Sequence, residues 1–268
     1  MLAALAADGI AKQKLHVMMV VDTSRSMQGE RIDQVNSAIA DIHRYLVDLQ
    51  GENSNVDFYV SIITFSSKAE FVPGYKGVNV NDMTPPKLKG GGYSNLHLAY
   101  EELAEVLKKE SAGGMMPDFG GIAPIILLLT DGHPTKVADK QLLELKKLSW
   151  FKVALRYGIA IEMNDTRTMK VLTDFTEDKN CVIECIDAAT LAKIIRIIVL
   201  TASKVKSQSS GVSSNVPSAT SISSKTAKKR AGKQKKVNVR QSSPSVSAHA
   251  QVIHQVRASL EEIDSWEW

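Results

Sequence analysis

The sequence predicts an α/β fold: a doubly wound, mostly parallel sheet with one antiparallel edge strand, followed by a disordered tail. Three observations lead there. Extended apolar runs alternate along the chain with longer amphipathic stretches, the order expected of parallel strands with helices on both faces. Two of the runs, Leu15 to Val21 and Pro124 to Thr130, are apolar almost without interruption, as strands covered on both faces are. Composition then shifts abruptly after Ala202, where Ser and Lys take over and Asp and Glu vanish through Ala250.

Taken in order, residues 1–14 form a short N-terminal segment. Its start, Met1 to Ala7, lacks the basic residues and full apolar core of a signal peptide and soon meets Asp8. A strand over 15–21 leads into Asp22-Thr23-Ser24-Arg25-Ser26 and a helix over 29–50. Strands over 56–65 and 69–72 are separated only by Ser66-Ser67-Lys68, which predicts the antiparallel hairpin and the edge. A Gly-rich turn, Gly90-Gly91-Gly92, precedes a helix over 95–110 whose amphipathic part runs from Leu98 to Lys109. A strand over 124–130, a helix over 137–148, a strand over 153–161, a helix over 166–176, a strand over 181–185 and a helix over 187–203 complete one domain, residues 15–203.

The apolar stretch Ile194 to Leu200 is far shorter than the roughly 18 to 20 residues of a membrane span, so no membrane role is expected. Cys181 and Cys185 are the only cysteines and fall on one strand. They are expected as buried free thiols of a cytoplasmic protein, and without a nearby histidine they do not complete a zinc cluster.

The chemistry gathers at strand ends. Asp22, Ser24 and Ser26 alternate, so their oxygens can point the same way toward one hard cation. The same residue types also cap helices, and that alternative stays open for this motif alone. Ser94 follows the Gly-rich turn, and Asp131 follows the second buried strand in Asp131-Gly132-His133-Pro134-Thr135. In open α/β sheets, ligands bind beyond the carboxyl ends of the strands.

The ordered set Asp22, Ser24, Ser26, Ser94 and Asp131 resembles the metal-ion-dependent adhesion site of the von Willebrand factor type A domain family. Members usually carry Thr where Ser94 stands, and the exchange keeps the hydroxyl. The resemblance implies a Rossmann-like type A fold and these five residues as metal ligands, holding Mg²⁺, with Mn²⁺ and Ca²⁺ as alternatives. Two carboxylates and three hydroxyls leave such a cation with positive character and an open position for an acidic residue of a protein partner. Arg25, Tyr93, Asn95 and His133 are candidates for contacting that partner. No base is placed to activate a metal-bound water, so the expectation is an interaction domain and not an enzyme. A phosphohydrolase using Asp22 is the alternative, although such enzymes generally carry a second Asp where Ser24 stands.

Within the family, Thr64-Phe65-Ser66 and the segment 130–135 look most like bacterial TerY-type proteins of tellurite resistance and stress response. That likeness implies work beside a Ser/Thr kinase and a metal-dependent Ser/Thr phosphatase of the PP2C type.

The basic balance of the chain, +4 overall, belongs to its tail. Residues 204–250 form a Ser/Lys-rich linker with ten Lys and Arg; residues 251–268 carry a net −3, which leaves the folded domain at −3. Such a linker cannot bury enough apolar surface to order itself. It offers sites for phosphorylation and a route to nucleic acid, though it has no aromatic residue for base stacking. Residues 251–268 differ again. Val252, Val256, Leu260 and Ile263 recur at helix spacing among Glu261, Glu262, Asp264 and Glu267, and Trp266 and Trp268 close the chain, which reads as a docking segment.

Overall fold

The computed structural model describes residues 12–199, apart from 53, 54, 133, 163, 164, 186, 188 and 194, together with residue 258. The start of the expected N-terminal segment, the linker 204–250 and, but for residue 258, the docking segment with Trp266 and Trp268 lie outside the described residues.

Six strands form one sheet in the order β3-β2-β1-β4-β5-β6. They are β1 (Gln13–Asp22), β2 (Val56–Phe65), β3 (Ala69–Asn79), β4 (Ile125–Thr130), β5 (Leu155–Ile161) and β6 (Val182–Cys185). All pairings are parallel except β2 with β3. This is the expected doubly wound sheet with its antiparallel edge. Helices α1 (Glu30–Glu52), α2 (Leu96–Val106), α3 (Asp139–Leu145), α4 (Ser149–Val153) and α5 (Thr166–Thr176) flank it, and residues 189–193 and 195–199 are helical.

Strand alternation divides the core in two. Leu15, Val17, Met19 and Val21 point to one face, where α1 supplies Val35, Ile39, Ile42 and Leu46 and the last helical residues supply Ile195 and Ile198. Met18 and Val20 point to the other, against Tyr100 and Leu103 of α2, Leu142 of α3, Phe151 of α4 and Phe175 of α5. Fully burying each large side chain contributes about 1.5–3 kcal/mol, so helices on both faces hold β1 at the centre. Gly158 of β5 lets α5 come close, since a Cβ there would sit 2.8 Å from the Leu172 Cβ. Cys181 and Cys185 are buried free thiols.

Several element boundaries differ from expectation, among them the end of α2, at Val106 and not at residue 110. The helix expected over 137–148 is shorter, Asp139–Leu145; Leu148 then adopts extended backbone (φ −69°, ψ 132°) and a helix the sequence did not suggest, α4, begins at Ser149, so β5 begins at Leu155 and not at residue 153. The edge strand expected over 69–72 continues to Asn79. Pro73-Gly74 reads as a turn, yet an edge strand tolerates Pro because one side of its backbone has no partner to satisfy. The register jumps there: Phe71 pairs with Ile63 and Lys76 with Ser61, so Val72 to Tyr75 bulge opposite Ile62, with Gly74 at φ +83°.

Candidate metal centre

β1 and β4 are neighbours at the middle of the sheet, but β1 continues through α1 to β2 on one side while β4 continues toward β5 on the other. Their carboxyl ends therefore flank the crevice where the winding reverses, and Asp22 and Asp131 stand on its two lips. Both carboxylates are 0% exposed.

Each polar position follows from local structure. Ser24 is extended (φ −68°, ψ 177°), and the next residues, Arg25–Met27, make one tight helical turn that seats the buried Met27 in the core below. Backbone bonds tie this turn to its neighbours: Gly91 N donates to Thr23 O at 2.8 Å and Arg25 N to Gly92 O at 3.1 Å. The Gly-rich turn has to be glycine, since a Cβ on Gly90 would lie 2.9 Å from the Gln28 backbone nitrogen, and Gly92 has φ +87°. Ser94 is fixed by exchange with Thr135, whose N donates to Ser94 O at 2.7 Å while its hydroxyl accepts from Ser94 N at 3.0 Å.

The five sequence-predicted residues come together in one hydrogen-bond network. Asp22 Oδ1 accepts from Ser24 N at 2.8 Å; Asp22 Oδ2 accepts from the hydroxyls of Ser94 at 3.0 Å and Thr130 at 2.8 Å. The Ser24 and Ser26 hydroxyls are 3.1 Å apart, and Ser26 donates to Asp131 Oδ1 at 2.9 Å. Asp131 Oδ2 accepts from Arg31 Nη1 at 2.7 Å.

The two carboxylates differ in their compensation. Asp131 has a cationic partner, whereas Asp22 makes no ion pair among the described residues. Burial pushes the Asp22 carboxyl above its ordinary value; the hydrogen bonds from Ser24 and Thr130 pull the other way, and the charge of Asp131 adds to the rise. Buried charges are generally paired or coordinate a metal. A fully buried, unpaired carboxylate surrounded by oxygen donors, with no sulfur or nitrogen in the set, fits a hard divalent cation.

Above the network lies an open cleft lined by Ser24, Arg25, Ser26, Gln28, Tyr93, Ser94 and Thr135, together with Gly92. Arg25 is exposed and Tyr93 is 65% exposed, so both predicted contact residues face outward beside the hydroxyls. Asn95, expected with them, is instead buried: its Nδ2 donates to Ser67 O at 3.1 Å and its N to Ser66 O at 3.0 Å. Its side chain locks the turn to the end of the β2/β3 hairpin and does not present to a partner. His133 lies outside the described residues.

Three residues of the site were not read from the sequence. Thr130, counted as the last strand residue, donates to Asp22, and a hydroxyl closing an otherwise apolar run was the available signal. Arg31 and Glu162 had none, since they reach the site only through tertiary contact.

Residues 17–133 match the family model of the von Willebrand factor type A domain, a span that contains all five residues. The inter-alpha-trypsin inhibitor heavy chain H1 of Sus scrofa is 29% identical over 145 residues, covering 50% of this chain and 15% of that one. Heavy chain H4 of Bos taurus is 29% identical over 148 residues, covering 53% and 15%. The chain thus spans only a small part of the curated relatives it matches.

Among solved structures, the pilus adhesin SpaC of Lactobacillus rhamnosus GG superposes with a TM-score of 0.52 at 14% identity, covering 73% of this chain and 31% of that chain. A von Willebrand factor type A structure from Catenulispora acidiphila gives 0.50 at 13% identity, covering 71% and 43%. The fold is that of the type A domain, and the family match supports the resemblance read from the sequence.

Proposed function

We propose that this type A domain holds a divalent cation, Mg²⁺ in the first instance, and uses it to grip a carboxylate of a protein partner. Asp22, Ser24, Ser26, Ser94 and Asp131 hold the ion; bound there, it supplies positive charge and a coordination position for an acidic side chain. One observation carries the reading. Asp22 is a fully buried carboxylate with three hydrogen-bond donors and no ion pair among the described residues, beneath an open cleft rimmed by hydroxyls.

The chain's own groups divide the remaining work. Thr130 and the Ser24 amide orient Asp22, the exchange between Ser94 and Thr135 fixes the third hydroxyl, and Arg25 gives the rim a positive charge suited to an acidic partner. A phosphohydrolase reading is less well supported, because enzymes that use an Asp in this position generally carry a second Asp two residues on, where Ser24 stands. The names of the inhibitor heavy chains and the pilus adhesin fit an interaction domain better than an enzyme.

The same proposal keeps the TerY-type context: a cytoplasmic adaptor in a bacterial stress pathway, beside a Ser/Thr kinase and a phosphatase of the PP2C type. It rests on the sequence resemblance, and the buried free thiols accord with a reducing compartment.

Calorimetric titration of MgCl₂ into the full chain and into Asp22→Ala tests the ion; binding in the first and none in the second is expected. Capture of partners in Mg²⁺, in chelator and on Asp22→Ala, with phosphate release assayed in the same samples, tests its use. A captured set indifferent to metal and mutation overturns the adaptor, and phosphatase turnover lost in Asp22→Ala promotes the enzyme.

A further inference from the structure

Arg31, one residue into α1, is drawn into the site from outside the predicted set. Its Nη1 donates to Asp131 Oδ2 at 2.7 Å and to the carbonyl of Ser26 at 3.2 Å, so it touches two residues of the candidate ligand set. Its Nε donates to Glu162 Oε2 at 3.0 Å. Glu162 stands just past β5 with a left-handed backbone (φ +49°), unusual for a residue with a Cβ, and its other oxygen accepts from Gln34 Nε2 at 2.7 Å. The guanidinium is thus stretched between two carboxylates, one fully buried in the site and one at its edge. Its side chain is 27% exposed, which leaves it an open side toward water.

We infer that Arg31 is a resident counter-cation of the site, competing with the divalent ion for Asp131 and so setting its affinity; the inference rests on the metal-binding reading above. The charges explain why. Without Arg31 the two buried carboxylates would present −2; with it they present −1, and an arriving dication is repelled by a full positive charge in contact with one of its ligands. Glu162 gives the guanidinium a second seat, so Arg31 can slacken its hold on Asp131 without leaving the protein or losing its partner. A merely structural clamp between α1 and the strand ends would use the same hydrogen bonds, yet it predicts the opposite response. Loosening a clamp disorders the ligands and weakens binding, whereas removing a competitor strengthens it.

The test is calorimetric titration of MgCl₂ into the full chain, with circular dichroism as the check of folding. Arg31→Gln keeps much of the length and some hydrogen bonding but no charge; it is expected to bind Mg²⁺ about tenfold more tightly than the unmodified chain. Arg31→Lys keeps the charge and loses the fork, and must tighten less. Glu162→Gln, which withdraws the second seat, is expected to weaken binding about threefold. Arg31→Gln binding no more tightly than the parent, or Arg31→Lys tightening as much as Arg31→Gln, overturns the inference while leaving the function standing. If Arg31→Gln does not fold, Glu162→Gln decides: weaker binding supports the inference, equal or tighter binding overturns it. Absence of Mg²⁺ binding in every protein overturns both readings.

Discussion

His16 and Asp22 lie six residues apart on β1, on the same face of the strand, and both are buried ionisable groups. At the amino end, the His16 ring packs at a tilt of 30° beside Tyr59 with ring centroids 5.6 Å apart, and its Nδ1 has no hydrogen-bond partner among the described residues. Burial first, and the charge of Lys14 second, lower its pKa to about 4, so it sits neutral in the core. At the carboxyl end, Asp22 is surrounded by donors, feels the charge of Asp131 and lies beneath a cleft rimmed by hydroxyls. Burial alone therefore does not mark a site on this strand. Convergence of charge and oxygen donors at the winding reversal is what singles out the candidate site.

Substitutions at the two ends should separate them cleanly. The largest effect is expected at Asp22→Ala, which should lower Mg²⁺ affinity at least about a thousandfold, or about 4 kcal/mol, by calorimetry. His16→Phe should leave that affinity unchanged, and a loss there would break the contrast.

Acid titration acts on the other end. A histidine whose folded pKa is lowered is at its least costly above the ordinary value of 6.5, and its neutral burial is penalised as pH falls toward about 4. Denaturant unfolding should show stability falling through that window by up to about 3 kcal/mol from this group, and His16→Phe should flatten that part of the curve. Ser24→Ala should then cost about tenfold in Mg²⁺ affinity, about 1.4 kcal/mol, with little change in the fold.

The smallest effect sharpens the comparison most. A carboxyl whose folded pKa is raised is destabilising when ionised, a cost absent below the ordinary carboxylate value and built up as pH rises from there through the folded value. Asp22→Asn should accordingly stabilise the metal-free protein at neutral pH by about 1 kcal/mol while abolishing the response of its melting temperature to Mg²⁺. A destabilised metal-free Asp22→Asn would mean that Asp22 is an ordinary structural carboxylate.

The strands were legible because each is written locally, in apolar runs that end in turn residues. The candidate site was legible for the same reason: Asp22, Ser24, Ser26, Ser94 and Asp131, which the structure brings together, have types and an order along the chain that need no knowledge of packing. Arg31 was not, since on an amphipathic helix an arginine reads as solvated surface, and its partner Asp131 is 100 residues away in the chain. Asn95 misled for a related cause: a polar residue in a Gly-rich turn looks exposed until the hairpin end at Ser66 and Ser67 closes over it. The break at Leu148 and the length of β3 were hidden because both depend on backbone choices that tertiary pairing makes.

The irregular course of β3 has a consequence for how copies of this domain behave toward one another. An outer strand of eleven residues is long enough to template the strand of a second molecule. Val72 to Tyr75 bulge out of the ladder, and Pro73 contributes no amide donor, so a neighbour laid along this margin finds an interrupted row of hydrogen-bonding groups. The opposite margin, β6, is only four residues long. Among the described residues, both rims of the sheet therefore discourage sideways polymerisation of one copy on another.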